Sequence, residues 1–259
     1  MKKQLLFIIL FLALAIPALM WKSSLHASLP GAKELVEKAI QNLIGNNGMQ
    51  AELNIKNYNA GTEVIEIVVK TWQKTPENML VLVTAPARDK GTAYLRKGKE
   101  VWKWQPANEK MSKLTGPEIA EKWMNTQLTI ADITGYNSLA DDYTASFKNL
   151  TKVNGQECYL IELIPNSEAL QVWYRTDLYI NSKNSIIQKA EYYDEDDYLI
   201  TTATTLQTQP VTGGRTIPQL VEWLSAADET QKTTVEYKAV TYEPVPEAAF
   251  TLDYMKIAR

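Results

Sequence analysis

The hydrophobic period of this chain changes once and does not change back. Ala32, Leu35, Val36, Ala39, Ile40, Leu43 and Ile44 recur at helical spacing, with Pro30 suited to a first turn and Gly45 to a C-terminal cap. From Gln50 the spacing becomes two. Ala51, Leu53 and Ile55 alternate with Glu52, Asn54 and Lys56, and after a turn over 57–62 the residues Ile65, Ile67 and Val69 continue the pattern. Alternation persists to Tyr242 through hairpin-length turns, Asn154-Gly155 being the strongest of them. No helix recurs between strands, so an α/β layer is excluded. About eleven strands in one antiparallel, strongly curved sheet are expected.

Two stretches say more about what such a sheet holds. Met79–Ala85 is apolar on both faces, so one side is covered and the other is covered too or faces a cavity. Next comes GTAYLRKGKEVWKWQP, residues 91–106. A turn centred on Lys97-Gly98 sets Ala93 opposite Trp102, Leu95 opposite Glu100 and Gly91 opposite Trp104. Ala93, Leu95, Trp102 and Trp104 then share one face as a broad aromatic wall, and Tyr94, Arg96, Lys99 and Val101 form a mixed outer side. Residues 116–142 interrupt the strands. Gly116-Pro117 opens a short helix reaching Trp123 and Met124, Thr129 and Asp132 form a capping box that starts a turn through Ile133, and 135–142 is an irregular loop. This insertion is either a lid or a connector.

Lys2 and Lys3 precede an apolar run from Leu5 to Trp21, followed by Lys22 and a small-residue exit at Ala27. That is a secretory signal over 1–27, with Leu25 large for its place before the cut; retention as an N-terminal membrane anchor is the alternative. Residues 28–259 form the working domain. Loss of three lysines takes the formal charge from −3 to −6, which excludes a nucleic-acid surface. It also removes His26, the only histidine, and with it Ser–His–Asp and Cys–His catalysis and His-containing zinc sites. Cys158 is the only cysteine, so no intrachain disulfide forms. The acidic run Asp194–Asp197 lacks the spacing of a calcium loop and reads as a solvated hairpin tip. Val211–Arg215 is a turn rather than a phosphate cradle, since no helix bearing Lys-Ser/Thr follows. No constellation carries a reaction, and no cofactor or metal is expected.

With these residues in view, the chain resembles the LolA-like outer membrane lipoprotein-sorting proteins. The likeness runs through GTAYLRKGKEVWKWQPANEKMSKL, LTIADI, YLIELIPN, YINSKNSIIQKAEYYD and GGRTIPQLVEW, and covers most of 33–255. Trp123 and Asp132 are kept where the family carries a Gly-Ser-Asp step, but the Gly-Ser is absent. The resemblance implies an unclosed half-barrel of about eleven antiparallel strands around a concave hydrophobic cavity, with an N-terminal amphipathic helix and a short helical lid. It implies a cavity wall of Ala93, Leu95, Trp102, Trp104, Ile65, Ile67, Val81 and Val83, and a lid carrying Trp123, Met124, Ile130 and Ile133. The family's archetypal carrier also has a lid-locking arginine, for which the matched motifs supply no position here.

The expectation is therefore a non-enzymatic, monomeric periplasmic carrier of lipoprotein or other lipid acyl chains. Its partners would be an inner-membrane exporter and an outer-membrane acceptor. The alternative is a sensor module on the same fold, possibly tethered by an uncleaved N-terminus, that binds a partner protein or a lipid.

Overall fold

The computed structural model describes residues 31–135, 142–166 and 172–258. Among them thirteen strands make one antiparallel sheet. They are β1 (Met49–Asn59), β2 (Thr62–Thr75), β3 (Asn78–Ala85), β4 (Ala93–Lys97), β5 (Glu100–Gln105), β6 (Lys110–Lys113), β7 (Tyr143–Val153), β8 (Gln156–Pro165), β9 (Arg175–Asn181), β10 (Ile187–Tyr193), β11 (Leu199–Val211), β12 (Arg215–Ser225) and β13 (Lys232–Thr241). The α-helices are α1 (Ala32–Ile44), α2 (Gly116–Ala120), α3 (Ile130–Ile133) and α4 (Leu252–Ile257). The strand order β6-β5-β4-β3-β2-β1-β13-β12-β11-β10-β9-β8-β7 leaves β6 and β7 as edges, so the sheet is an unclosed half-barrel. Two meanders meet where β1 pairs with β13.

The expected turns form for the expected reasons. Asn154 and Gly155 both take positive φ, 49° and 77°, as the tight turn between β7 and β8 requires. Gly45 closes α1 with φ 73°, its N–H donating to Gln41 O. Two strands exceed the expected set. In β12, Pro218 interrupts the apolar pattern, yet it pairs with Thr208 at an irregular register where its missing N–H is tolerated. The other, β6, is only four residues long and carries no alternating apolar pattern.

Helices cover both sides of this sheet. On the concave side, Leu35, Val36 and Ala39 of α1 pack against Ile161, Leu163, Leu178, Ile180 and Val221. The segment holding α2 and α3 covers the other half of that side, over β1 to β5 and β13. The convex side of β3 to β5 is covered by the C-terminal segment, where Val245, Phe250 and Met255 pack on Leu80, Leu82, Ala93 and Leu95. The double-sided burial of Met79–Val83 follows: Met79, Val81 and Val83 face inward, and Leu80 and Leu82 outward. The signal region 1–27 lies outside the described residues, as do 136–141 of the irregular loop. No helix among the described residues is long and apolar enough to cross a membrane.

Candidate functional site

The concave floor beneath α2 and α3 is built from alternate residues of neighbouring strands. Ile55 of β1, Ile67 and Val69 of β2, Val81 and Val83 of β3, Tyr94 of β4, Val101 of β5 and Val235 of β13 form one buried apolar surface, with Ile65 at its margin. Onto it the covering segment presents Leu114, Ile119, Trp123, Leu128, Ile130, Ala131 and Ile133, with Met124 partly buried beside them. Trp123 is 1% exposed and meets the Tyr94 ring edge-on at 6.5 Å between centroids. Burial there pushes the Tyr94 phenol up to about 12, so it stays neutral.

Reciprocal hydrogen bonds preform the two short helices of this cover. Thr129 N–H donates to Asp132 Oδ2 at 2.7 Å and Asp132 N–H to Thr129 Oγ1 at 3.1 Å, the capping box read from the sequence. A second box escaped that reading: Thr115 N–H donates to Glu118 Oε2 at 2.7 Å, and α2 ends at Ala120 rather than running to Met124. Between the boxes the chain doubles back, with Trp123 N–H donating to Leu128 O at 2.7 Å.

Polar contacts tie the cover down at two places. Arg96, fully buried, donates to Gly98 O at 3.1 Å and to Gly135 O, just past α3. On the opposite flank Gln127 N–H donates to Thr233 Oγ1 at 2.8 Å, and Thr233 Oγ1–H donates to Asn57 Oδ1 at 2.7 Å. Asn57 Nδ2 in turn donates to Asn125 O at 2.9 Å. Sequence reasoning placed Arg96 on an outer side and found no signal in Asn57 or Thr233. An inward arginine on a strand with two apolar faces was the available clue, since a buried guanidinium needs carbonyl or carboxylate partners.

Two apolar cavities remain under the covers. One, of about 160 Å³, lies between α1 and α3 and is lined by Val36, Ile40, Ala131, Leu163, Leu178 and Ile187, among others. Its neighbour, of about 90 Å³, lies under Trp123 and Ile133 against Leu53, Ile55, Val69 and Val81. Asp132 and Trp223 line both. Even joined, the two fall short of the roughly 300–1,000 Å³ typical of a ligand pocket.

The eight expected wall residues do not form one wall. Ile65, Ile67, Val81 and Val83 lie on the concave floor with the lid residues Trp123, Met124, Ile130 and Ile133. Ala93, Leu95, Trp102 and Trp104 share a face, as expected, but it is the convex one, beneath α4. Tyr94, Arg96 and Val101, expected outside, are buried within. The pairing also shifts by two: Ala93 faces Trp104 and Leu95 faces Trp102, because Gly98, with φ 62°, takes the first turn position. A shift of two preserves which side chains share a face. It cannot tell which face is concave, and here both are apolar and both are covered.

The remaining candidates have structural roles. Cys158 is buried in β8, Sγ 3.6 Å from Gln156 O, and burial pushes its thiol up. Asp194–Asp197 forms the tip between β10 and β11, where Asp194 Oδ1 accepts from the N–H groups of Asp196 and Tyr198. Arg215 donates to Asn42 O at 2.7 Å and stacks on Tyr242, fastening the C-terminus of α1.

A family model described as "Uncharacterized protein" matches residues 75–257. No curated protein matches the sequence. Among solved structures, a LolA superfamily protein of Nitrosomonas europaea superposes with a TM-score of 0.74 at 21% identity, covering 87% of this chain and 99% of that one. A DUF1329 family protein of Desulfovibrio piger gives 0.75 at 18%, with the same coverage. A domain from Vibrio parahaemolyticus, named as an outer membrane lipoprotein-sorting protein, gives 0.72 at 16%, covering 85% of this chain and 97% of that one.

Proposed function

We propose that this chain, which belongs to that family of uncharacterized proteins and has a LolA-like fold, carries acyl chains of a lipoprotein or another lipid between its concave sheet and its lid. The observation that carries the reading is the construction of the concave side. An apolar floor is covered by two short helices and a tight turn, fastened at their ends by a few polar contacts, rather than by a second sheet. A permanent core has no need of a cover so short. The N-terminal basic and apolar segment supports export to the periplasm, with an inner-membrane exporter and an outer-membrane acceptor as partners.

The exchange is physical rather than chemical, and the chain is read as a carrier, not an enzyme. In the closed state the lid residues Trp123, Met124, Ile130 and Ile133 occupy the space over Ile65, Ile67, Val81 and Val83. An acyl chain that displaces them substitutes its own apolar surface for theirs. Each methylene it buries contributes about 0.8 kcal/mol. Against this stand the exposure of the lid and the loss of the Arg96 and Thr233 contacts. The balance is small enough for a partner to tip, so loading and release need no covalent step.

The reading is tested by purifying the exported protein from its own cells and extracting it with organic solvent for lipid mass spectrometry. Acyl lipids at a stoichiometric level are expected. Their absence, together with failure of a fluorescent acyl probe to bind, would remove the carrier function.

A further inference from the structure

Trp223 sits where the two concave cavities meet. It projects from β12, between Ala203 of β11 and Thr233 of β13, and packs against both the α1 cluster and the lid cluster. Its indole N–H is buried and has no acceptor among the described residues. Its neighbours along the cavities are mostly aliphatic: Val36, Ile40, Leu178 and Ile187 on one side, Val69 and Val235 on the other. A buried donor without a partner forfeits the hydrogen bond it had with water in the unfolded chain, and a structure keeps few of these. An apolar wall is also a poor site for an ordered water, which needs about two to four polar partners. A ligand bearing an acceptor would supply what the empty protein lacks.

The second polar group at the same junction sets the sign of that acceptor. Asp132 lines both cavities, and its carboxylate is held in place by the Thr129 N–H at 2.7 Å and the Thr129 hydroxyl at 2.8 Å. A carboxylate in a low-dielectric pocket repels a second anion and tolerates a neutral dipole. We infer that the junction of Trp223 and Asp132 is a subsite for a neutral acyl carbonyl, an ester or amide, and that it selects acylated molecules over bare hydrocarbon and over free fatty acid. This rests on the acyl-carrier reading and narrows it to one substrate class. The hydrocarbon would lie along the aliphatic walls, with the carbonyl oxygen accepting from Trp223 Nε1.

The experiment is competition for a neutral fluorescent probe, 1-aminoanthracene, by dodecane, methyl laurate and laurate near neutral pH, using the exported protein. Methyl laurate is expected to bind about five- to tenfold more tightly than dodecane, the worth of one neutral hydrogen bond in a dry site, and more tightly than laurate. Trp223→Phe keeps the aromatic surface and should abolish the ester advantage while leaving dodecane within about twofold. Asp132→Asn should bring laurate closer to the ester. Dodecane binding with no ester preference in the unsubstituted protein overturns the subsite and spares the carrier, and so does an ester preference that survives Trp223→Phe. No displacement by any competitor overturns both. The unsubstituted protein supplies the first comparison, so the inference stands or falls even if Trp223→Phe does not fold.

Discussion

On the convex face Glu162, Asp177 and Glu191 stand directly opposite one another across β8, β9 and β10. Like charges in register destabilise a sheet, and each acid here has its own compensation. Lys148 reaches Glu162 at 3.2 Å. Burial raises the Glu191 carboxyl, but hydrogen bonds from Lys189 and the Tyr179 hydroxyl outweigh it and hold Glu191 below the ordinary value. Asp177 fares worst. Its partner Arg175 stands 3.5 Å away and also pairs with Asp197 at 2.7 Å. Burial first, then the flanking Glu162 and Glu191, push the Asp177 carboxyl above its usual range. A folded-state value above the unfolded one means that ionised Asp177 opposes folding at neutral pH, and that the opposition disappears as pH falls through the raised value. Asp177→Asn should therefore raise the melting temperature near pH 7, and the gain should vanish near pH 3, where both side chains are uncharged. Melting curves at the two pH values decide it; a lower melting temperature near pH 7 would show that the Arg175 pair outweighs burial.

At the scale of elements, the lid and α4 differ in how they are held, and the difference predicts how each yields. Thr233→Val removes the acceptor for Gln127 N–H and the donor to Asn57 Oδ1, stranding two polar groups at about 1–3 kcal/mol each unless water reaches them. Opening the lid lets water in at little expense to the sheet. Hydrogen exchange should quicken at the amides of Gln127 and Ile130 while the β1–β13 amides keep their protection; uniform loss across both would mean that Thr233 serves the sheet alone. The segment carrying α4 is fastened by packing instead, Trp72 meeting Tyr254 edge-on at 6.4 Å. Trp104→Ala should cost somewhat less than the roughly 3–5 kcal/mol of a fully buried indole and leave acyl binding unchanged, as chemical denaturation beside probe titration would show. Both elements mark the reach of sequence reasoning. Helix α1, the Asn154-Gly155 turn, the Thr129–Asp132 box and the face shared by Ala93, Leu95, Trp102 and Trp104 were legible, because each depends on residues close in sequence or on period alone. The side on which that face lay was not, because it depends on where the C-terminal segment packs. Thr251, whose side chain accepts from Tyr254 N–H at 3.2 Å, was the one local sign of that helix.

For the molecule as a whole, the unclosed sheet and the small closed cavities make binding depend on ligand length in a way that a rigid pocket would not. A short acyl chain fits the existing space between α1 and α3 and needs no opening. A longer one outgrows about 160 and 90 Å³ and proceeds only by displacing Trp123, Ile130 and Ile133 from the floor. In a series of acyl methyl esters, affinity should first climb about fourfold per methylene, the equivalent of about 0.8 kcal/mol. It should then flatten where the lid begins to be displaced, because each further methylene replaces lid surface already buried there. Beyond that length ligand binding should speed hydrogen exchange at Gln127 and Ile130, the reverse of ordinary ligand protection, while the amides of β8 to β12 beneath α1 slow. A rigid pocket predicts protection at every length and a sharp loss of affinity once the space is full. Exchange measured with the shortest and longest esters separates the two, and slowed exchange in the lid at all lengths would mean that the cover is a fixed part of the core.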